Sequence, residues 1–229
     1  MPPRPDVSEE RRNQILDTAE EVFSRRGFDE ARMDDIAEHS GLSKGALYWY
    51  FKKKDDIITA LLDRVFRKSI EALGRIAIEP VSVRDRVMRI GEQISRDYQA
   101  MARLMPIALE FYAIALRQRA VRKHLATLYG ELLSIFTPLL EEGVRNAELE
   151  ETDARRAATV LISMYEGLGL VWTIAPKLVD WKADGPHAAV LLCNGLGSRK
   201  AGRARKGRMS YEGTDFRSRH CRADAWLLA

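Results

Sequence analysis

Cysteine is almost missing from this chain of 229 residues: Cys193 and Cys221 are its only two. Two thiols so far apart make no disulfide framework, and each is expected to be a buried or spectator thiol. Long apolar runs are missing as well. No uninterrupted stretch approaches the ~18 residues of a membrane-spanning helix, and Met1 to Ser8 lacks the apolar centre of a secretion signal. A cytoplasmic protein with no membrane partner is the expectation. The histidines at 39, 124, 187 and 220 have no metal-ligand spacing, and the chain has no GxSxG elbow, no phosphate-cradling glycine loop and no HExxH pair. No catalytic residue, metal or cofactor is therefore expected. Strand-like alternation of apolar and polar residues is also lacking.

What remains is a soluble, helix-rich composition, 46% hydrophobic and 31% charged. The formal net charge of +4 invites a nucleic-acid reading, but its location weakens that argument. Residues 198–229 carry nine Lys or Arg against three acids, so residues 1–197 are slightly negative. Residues 1–54 hold ten basic side chains and eleven acidic ones. Any nucleic-acid contact there must rest on where the charges stand rather than on their sum. The basic tail 198–229, with scattered glycines and no helical period, is expected to be disordered. It either adds nonspecific DNA affinity by counterion release or is a solvated appendage.

Apolar residues recur at helical spacing through the rest. Ile15, Leu16, Ala19, Val22 and Phe23 predict a first helix that ends at Gly27 with Phe28 beyond it. Ile58, Leu61, Leu62, Val65 and Phe66 predict a helix from Lys54 or Asp55 towards Ile78. Val83 to Met105 forms another, interrupted by Pro106, and Ile107–Leu116 a shorter one. A long helix from Val121 to Val144 is expected to kink at Pro138. Asp153 is a candidate cap for a helix that ends before Pro176, and a last helix is expected over Pro186–Asn194. These final two carry more apolar surface than one packing stripe needs, which suggests a partner face.

The segment 34–57, DDIAEHSGLSKGALYWYFKKKDDI, carries the sharpest signal. Gly41 stands where the chain must reverse between two helices, and Ser43 can cap the second by accepting the amide of residue 45 or 46. On that second helix Leu47, Tyr50 and Phe51 are expected to face inward. Ser43, Lys44, Tyr48 and Trp49 then lie on or near the outer face, where the small Gly45 and Ala46 would let the backbone approach a groove wall. Tyr48 is assigned to groove or phosphate contact, whereas Trp49 fits packing equally well. Lys44, Lys52, Lys53 and Lys54 cluster beside this helix.

Residues 10–58 resemble the N-terminal domain of the tetracycline-repressor (TetR) family of bacterial transcription regulators. Ile15, Ala19, Phe23, Gly27-Phe28, Ile36-Ala37, Gly41-Leu42-Ser43-Lys44-Gly45, Leu47-Tyr48, Tyr50-Phe51, Lys54 and Ile57 follow the family's order and spacing. One departure is Arg32, at a position before Met33 where the family usually has a Ser or Thr that caps the second helix and can touch a phosphate. The resemblance implies an all-α fold: a three-helix helix-turn-helix domain (1–54), joined by a fourth helix to a helical effector-binding and dimerisation domain (55–197). It implies DNA contacts from Arg32, Met33, Ser43, Lys44, Gly45, Ala46, Tyr48, Trp49 and Lys54, with Lys54 clamping a phosphate. It also implies a homodimer formed by the last two helices, bound to a palindromic double-stranded DNA operator and released by a small-molecule effector.

For that effector, Met101, Met105, Phe111, Tyr112, Tyr129, Met164, Tyr165 and Trp172 are candidate lining residues, and as a group they point to an apolar or aromatic ligand. Any one of them fits core packing as well. Glu110 and Glu166 stand beside those stripes and are expected to point to water. A helical carrier or enzyme using the same pocket without DNA is the alternative reading. An activator would carry the same sequence pattern as a repressor.

Overall fold

The computed structural model describes residues 7–197, so the tail expected to be disordered, together with Cys221, lies outside the described residues. The described chain is all-α, with α1 (Val7–Glu30), α2 (Met33–His39), α3 (Lys44–Tyr50), α4 (Lys54–Ala77), α5 (Val83–Ala100), α6 (Met105–Arg117), α7 (Arg119–Arg145), α8 (Ala154–Ile174) and α9 (Trp181–Gly195). No strand occurs among the described residues; a single antiparallel bridge joins Leu149 to Gly197.

Local chemistry accounts for most of the boundaries. At Gly27 (φ 76°) the backbone of α1 leaves helical geometry, and Phe28 folds back to meet Phe23 at 5.6 Å between ring centroids. Gly41 (φ 67°) makes the reversal between α2 and α3, a backbone conformation that a β-carbon disfavours. Ser43 then caps α3, its hydroxyl accepting the Ala46 amide at 3.2 Å. Asp153 does the same for α8 by accepting from Arg156. Arg32 offers α2 no side-chain cap; instead the Asp35 carboxylate reaches back to accept the Arg32 amide at 2.9 Å.

α7 runs through Pro138 as a single helix. One expectation fails at a proline. α9 begins at Trp181, five residues before the Pro186 expected to open it, because Asp180 caps the helix by accepting the Lys182 amide at 3.0 Å. Pro186 is carried inside the helix.

Two hydrophobic cores result, and α4 belongs to both. Its first half sends Ile57, Ile58, Leu61 and Leu62 into a cluster with Ile15, Phe23, Ile36, Leu47, Phe51 and the apolar face of α6. Its second half sends Leu73 and Ala77 into a cluster built from α5, α7, α8 and α9. The expected domain boundary at 54/55 marks the start of α4, yet the first turns of that helix pack with the N-terminal three. Polar ties reinforce the seam: Arg64 donates to Asp17 at 2.7 Å, Gln118 to Asp55 at 2.6 Å, and His124 meets Asp63 at 2.8 Å. Deeper in, the buried Arg86 guanidinium on α5 pairs in two-pronged fashion with Glu142 on α7 and donates to the Ala77 carbonyl, closing the end of α4.

α5 and α9 approach each other closely at Gly185. A β-carbon there would strike the Ser95 hydroxyl, which is already committed to the Gly91 carbonyl at 2.7 Å, and would lie 3.0 Å from the Ser95 β-carbon and 3.3 Å from the Trp181 ring. Gly185→Ala should therefore destabilise the fold by about 1–3 kcal/mol through overpacking. Urea unfolding of the variant beside the parent checks it, with an unchanged midpoint as the contrary result.

Candidate DNA-reading surface and effector cavity

The α3 surface is built from residues that the core does not need. Leu47 is fully buried, and Phe51 and the half-buried Tyr50 anchor the far end of the helix, as their spacing predicts. Trp49 is 68% exposed and Tyr48 42%, large fractions for aromatic rings on a helix whose inner face is already filled. Trp49 meets the Tyr50 ring edge-on at 4.7 Å, which holds it against the helix without covering it. A β-carbon at Gly45 would meet nothing within 4 Å, so no internal contact requires a glycine there. Ser43 and Lys44 are exposed and Ala46 half-buried on the same helix.

The cations are less free than the sequence suggests. Lys44 donates to the Asp34 carboxylate at 2.6 Å across the turn, and that hydrogen bond, together with the attraction of Asp34, raises the lysine pKa further. Lys44 is thus fully charged and still on the exposed side. Lys54 differs from expectation. Its ammonium donates to the Phe28 carbonyl at 2.6 Å and the Asp29 carbonyl at 3.1 Å, and sits 4.6 Å from the centre of the Phe28 ring. It satisfies carbonyls left open where α1 breaks at Gly27, so in this structure it is a strut between α1 and α4. Met33 is also turned inward, with a side chain packed in the N-terminal core, so that only its backbone could reach a ligand. Arg32 is exposed.

In the second domain a cavity of about 80 Å³ lies between α4, α5, α6, α7 and α8. Of the eight residues expected to line an effector site, Met101, Met105, Tyr112 and Tyr165 do so. Tyr129 joins from behind, its hydroxyl donating to that of Tyr112 at 3.4 Å. The others fall elsewhere: Phe111 is fully buried in the N-terminal core, Trp172 packs edge-on against Trp181 at 6.0 Å, and Met164 lines a separate groove between α8 and α9. Helical period places a residue on a stripe but does not say which neighbour that stripe faces.

Glu166 is the main residue that the sequence misplaces. Expected to point to water, it lines the cavity and accepts a hydrogen bond from the Tyr112 hydroxyl at 2.6 Å. Burial raises its pKa, with the Tyr112 and Tyr129 hydroxyls opposing the shift. The phenols respond in kind: burial first, then the nearby carboxylate, push Tyr129 up to about 12 and Tyr112 well above the ordinary range. Asp97, Ser69 and Tyr98 were not anticipated as lining residues either. Asp97 accepts the Ser69 hydroxyl and, at 2.7 Å, the Gln93 amide. The one available signal was Ser69, a polar interruption of the α4 apolar stripe between Phe66 and Leu73.

Comparison with known proteins gives this geometry a context. Residues 15–61 match the sequence model of bacterial regulatory proteins of the tetR family, and residues 83–189 match that of the BetI-type transcriptional repressor C-terminal region. The HTH-type transcriptional regulator TtgR of Pseudomonas putida is 27% identical over 186 residues, spanning 78% of this chain and 88% of that protein. The solved structure of the regulator FadR from Bacillus subtilis, in complex with stearoyl-CoA, superposes with a TM-score of 0.66 at 25% identity, over 80% of this chain and 98% of that one. A TetR transcription regulator from Haloarcula marismortui shares the fold, with a TM-score of 0.73 at 16% identity over 82% and 99% of the two chains.

The raised pKa of Glu166 sets a pH dependence. A carboxyl whose folded pKa exceeds its unfolded value favours the fold most below the ordinary value of 4.5, and this contribution is lost as pH climbs through the raised folded value. Glu166→Gln cannot ionise and keeps an acceptor for Tyr112. Its melting temperature relative to the parent should therefore climb as pH rises above 4.5 and then level off. Thermal melts from about pH 4 to pH 8 test this, and a difference that does not change with pH would contradict it.

Proposed function

Since the chain belongs to the tetR family of bacterial regulatory proteins and is a DNA-binding transcriptional regulator, we propose that it is a homodimeric repressor released from a palindromic operator by a small apolar or aromatic effector. The observation that carries this reading is the shared helix. The wall of the cavity formed by Leu62, Phe66, Ser69 and Leu73 is the same α4 whose first turns pack into the core beneath α3. A ligand that prefers one setting of α4 changes the spacing of two α3 helices in a dimer. Operator affinity then falls by at most the ligand's preference between the two settings. Half-sites one helical turn apart, about 34 Å, are the expected target. Stearoyl-CoA, bound in the B. subtilis structure, suits this cavity poorly, because Asp97 and Glu166 line it and no Lys, Arg or His among the described residues is there to meet phosphates.

For DNA contact we assign Tyr48, Lys44, Ser43, Trp49 and the backbone at Gly45 and Ala46, with Arg32 at the edge. Asp34 would release Lys44 to a phosphate, a stronger partner than a solvated carboxylate. Lys54 is left as a strut.

The dimer face is assigned to α8 and α9. α8 has the length and apolarity of a membrane-spanning helix, yet Glu166 stands in its middle and Arg155 and Arg156 in its first turn. Its surplus apolar surface continues onto the next elements: Ile174 is 70% exposed, Leu178 74% and Leu191 54%. With Val160, Leu170 and Val171, these residues flank the groove between α8 and α9. Exposed apolar residues on two neighbouring helices, with Asp184 and His187 as the polar groups of the groove between them, suit a second copy of the same face. Regulation in the cytoplasm follows from this reading.

Two outcomes are expected. Tyr48→Ala and Lys44→Ala should each weaken operator binding by about tenfold, the scale of one lost charged or aromatic contact. Gel shifts on an operator selected from random DNA measure this, and sedimentation should show the oligomeric state unchanged; full affinity in both variants would remove the α3 assignment. Val171→Glu should shift the dimer to monomer in sedimentation and abolish operator binding, because an unpaired carboxylate cannot be buried cheaply at an interface. A dimer that persists would move the interface elsewhere.

A further inference from the structure

The effector cavity has a polarity of one sign. Two carboxylates, Glu166 from α8 and Asp97 from α5, stand in walls that are otherwise apolar and aromatic apart from the Ser69 hydroxyl and the tyrosine hydroxyls, and no Lys, Arg or His among the described residues lines the space. A carboxylate in such a wall is costly unless something pairs with it. Asp97 has two neutral donors, the Ser69 hydroxyl and the Gln93 amide. Glu166 has the Tyr112 hydroxyl, itself backed by Tyr129, and no cation among the described residues. The Tyr98 ring also lines the cavity, and its hydroxyl makes no hydrogen bond among the described residues. Its face is stacked on Trp181 at 4.3 Å, which fixes the ring in place.

We infer that the cavity takes a lipophilic cation, an ammonium group carrying an aromatic or alkyl body, whose positive head pairs with Glu166 and rests against the tyrosine rings while its apolar body lies along Phe66 and Met101. This rests on the reading of the cavity as the effector site and specifies its ligand. A neutral apolar effector would have no use for either acid and would leave both without a charge partner. An anionic effector, such as a carboxylate or a phosphate, would be repelled by both. A cation compensates Glu166 where partial burial has left it without a charge partner, and tyrosine faces add quadrupole attraction. The cavity of about 80 Å³ is smaller than the usual ligand pocket of roughly 300–1,000 Å³. Entry must therefore move a wall, and α4 is one of those walls.

The full chain can be tested by calorimetric titration with three probes of one shape: benzyltrimethylammonium, its uncharged isostere neopentylbenzene, and the anion phenylmethanesulfonate. The ammonium should bind about tenfold or more tightly than the neutral isostere, and the sulfonate should not bind. Glu166→Gln should lose most of that preference while its affinity for the neutral isostere stays the same. If melting shows that this variant does not fold, Asp97→Asn is expected to lower ammonium affinity in the same direction, and the three-probe comparison on the parent needs no variant. Equal binding of the ammonium and the neutral isostere, retention of ammonium affinity in Glu166→Gln, or no ammonium binding would each overturn the inference. Operator gel shifts separate the two claims. Release by the neutral or anionic probe but not by the ammonium overturns the cation assignment and leaves the effector reading standing. Glu166-dependent ammonium binding that leaves the operator complex intact supports the cation site and removes the effector role.

Discussion

A helix that is packed into two cores cannot be displaced in one of them without being displaced in the other. α4 is 24 residues long, about 36 Å at the usual helical rise, and its interior holds no proline. Ile57, Ile58 and Leu61 are fully buried against α1, α2 and α3, while Leu73 is buried among α5 and α7 some four turns on. Close-packed interiors do not deform continuously, so a change at the cavity end is carried along the rod rather than absorbed where it arises. Arg64 to Asp17 and His124 to Asp63 link α4 to α1 on one flank and to α7 on the other. The rest of the architecture can be understood as bracing for this element, from the Lys54 strut at its first residue to the Arg86 guanidinium holding the Ala77 carbonyl at its last.

Charge is distributed by the same logic of location over total. A reader domain that is not basic on average can still present a cationic edge when its acids are spent internally. Asp35 caps α2 and pairs with Arg26, and Asp56 caps α4 by accepting the Lys52 and Lys53 amides. Asp17 is held by Arg64. Lys44 is the instructive case, because its partner Asp34 is itself more than half exposed and such surface pairs contribute little. That pair positions Lys44 at the start of α3 without burying it.

α8 carries three demands at once, which explains a composition apolar enough to resemble a membrane span. One face packs on α7, a second presents Tyr165 and Glu166 to the cavity, and a third remains uncovered at Val160, Leu170 and Ile174. A helix with apolar residues almost all round is stable in water only if nearly all of it is covered. Tyr165 also donates to the Gly185 carbonyl at 2.9 Å, so the cavity wall and the α9 packing share a residue.

The amino-acid sequence by itself determined the parts that local chemistry controls. Gly27 and Gly41 mark where the chain breaks because only a residue without a β-carbon accepts those backbone angles readily, and Ser43 and Asp153 start helices because their side chains satisfy orphan amides. The helix-turn-helix pattern and the outward faces of Tyr48 and Trp49 followed from helical period once Leu47 and Phe51 were assigned to the core. Tertiary structure alone decided which stripe faces which neighbour. It turned Phe111 into the reader's core, Met164 onto the α8 and α9 groove and Trp172 against Trp181, and it brought Ser69, Asp97, Tyr112 and Glu166 from four helices to one cavity. It likewise gave Lys54 to the open carbonyls at 28 and 29, which are 26 and 25 residues away along the chain. The physical reason is the same in each case: helical period specifies direction around one axis, whereas burial, pairing and pKa depend on what other axes place there.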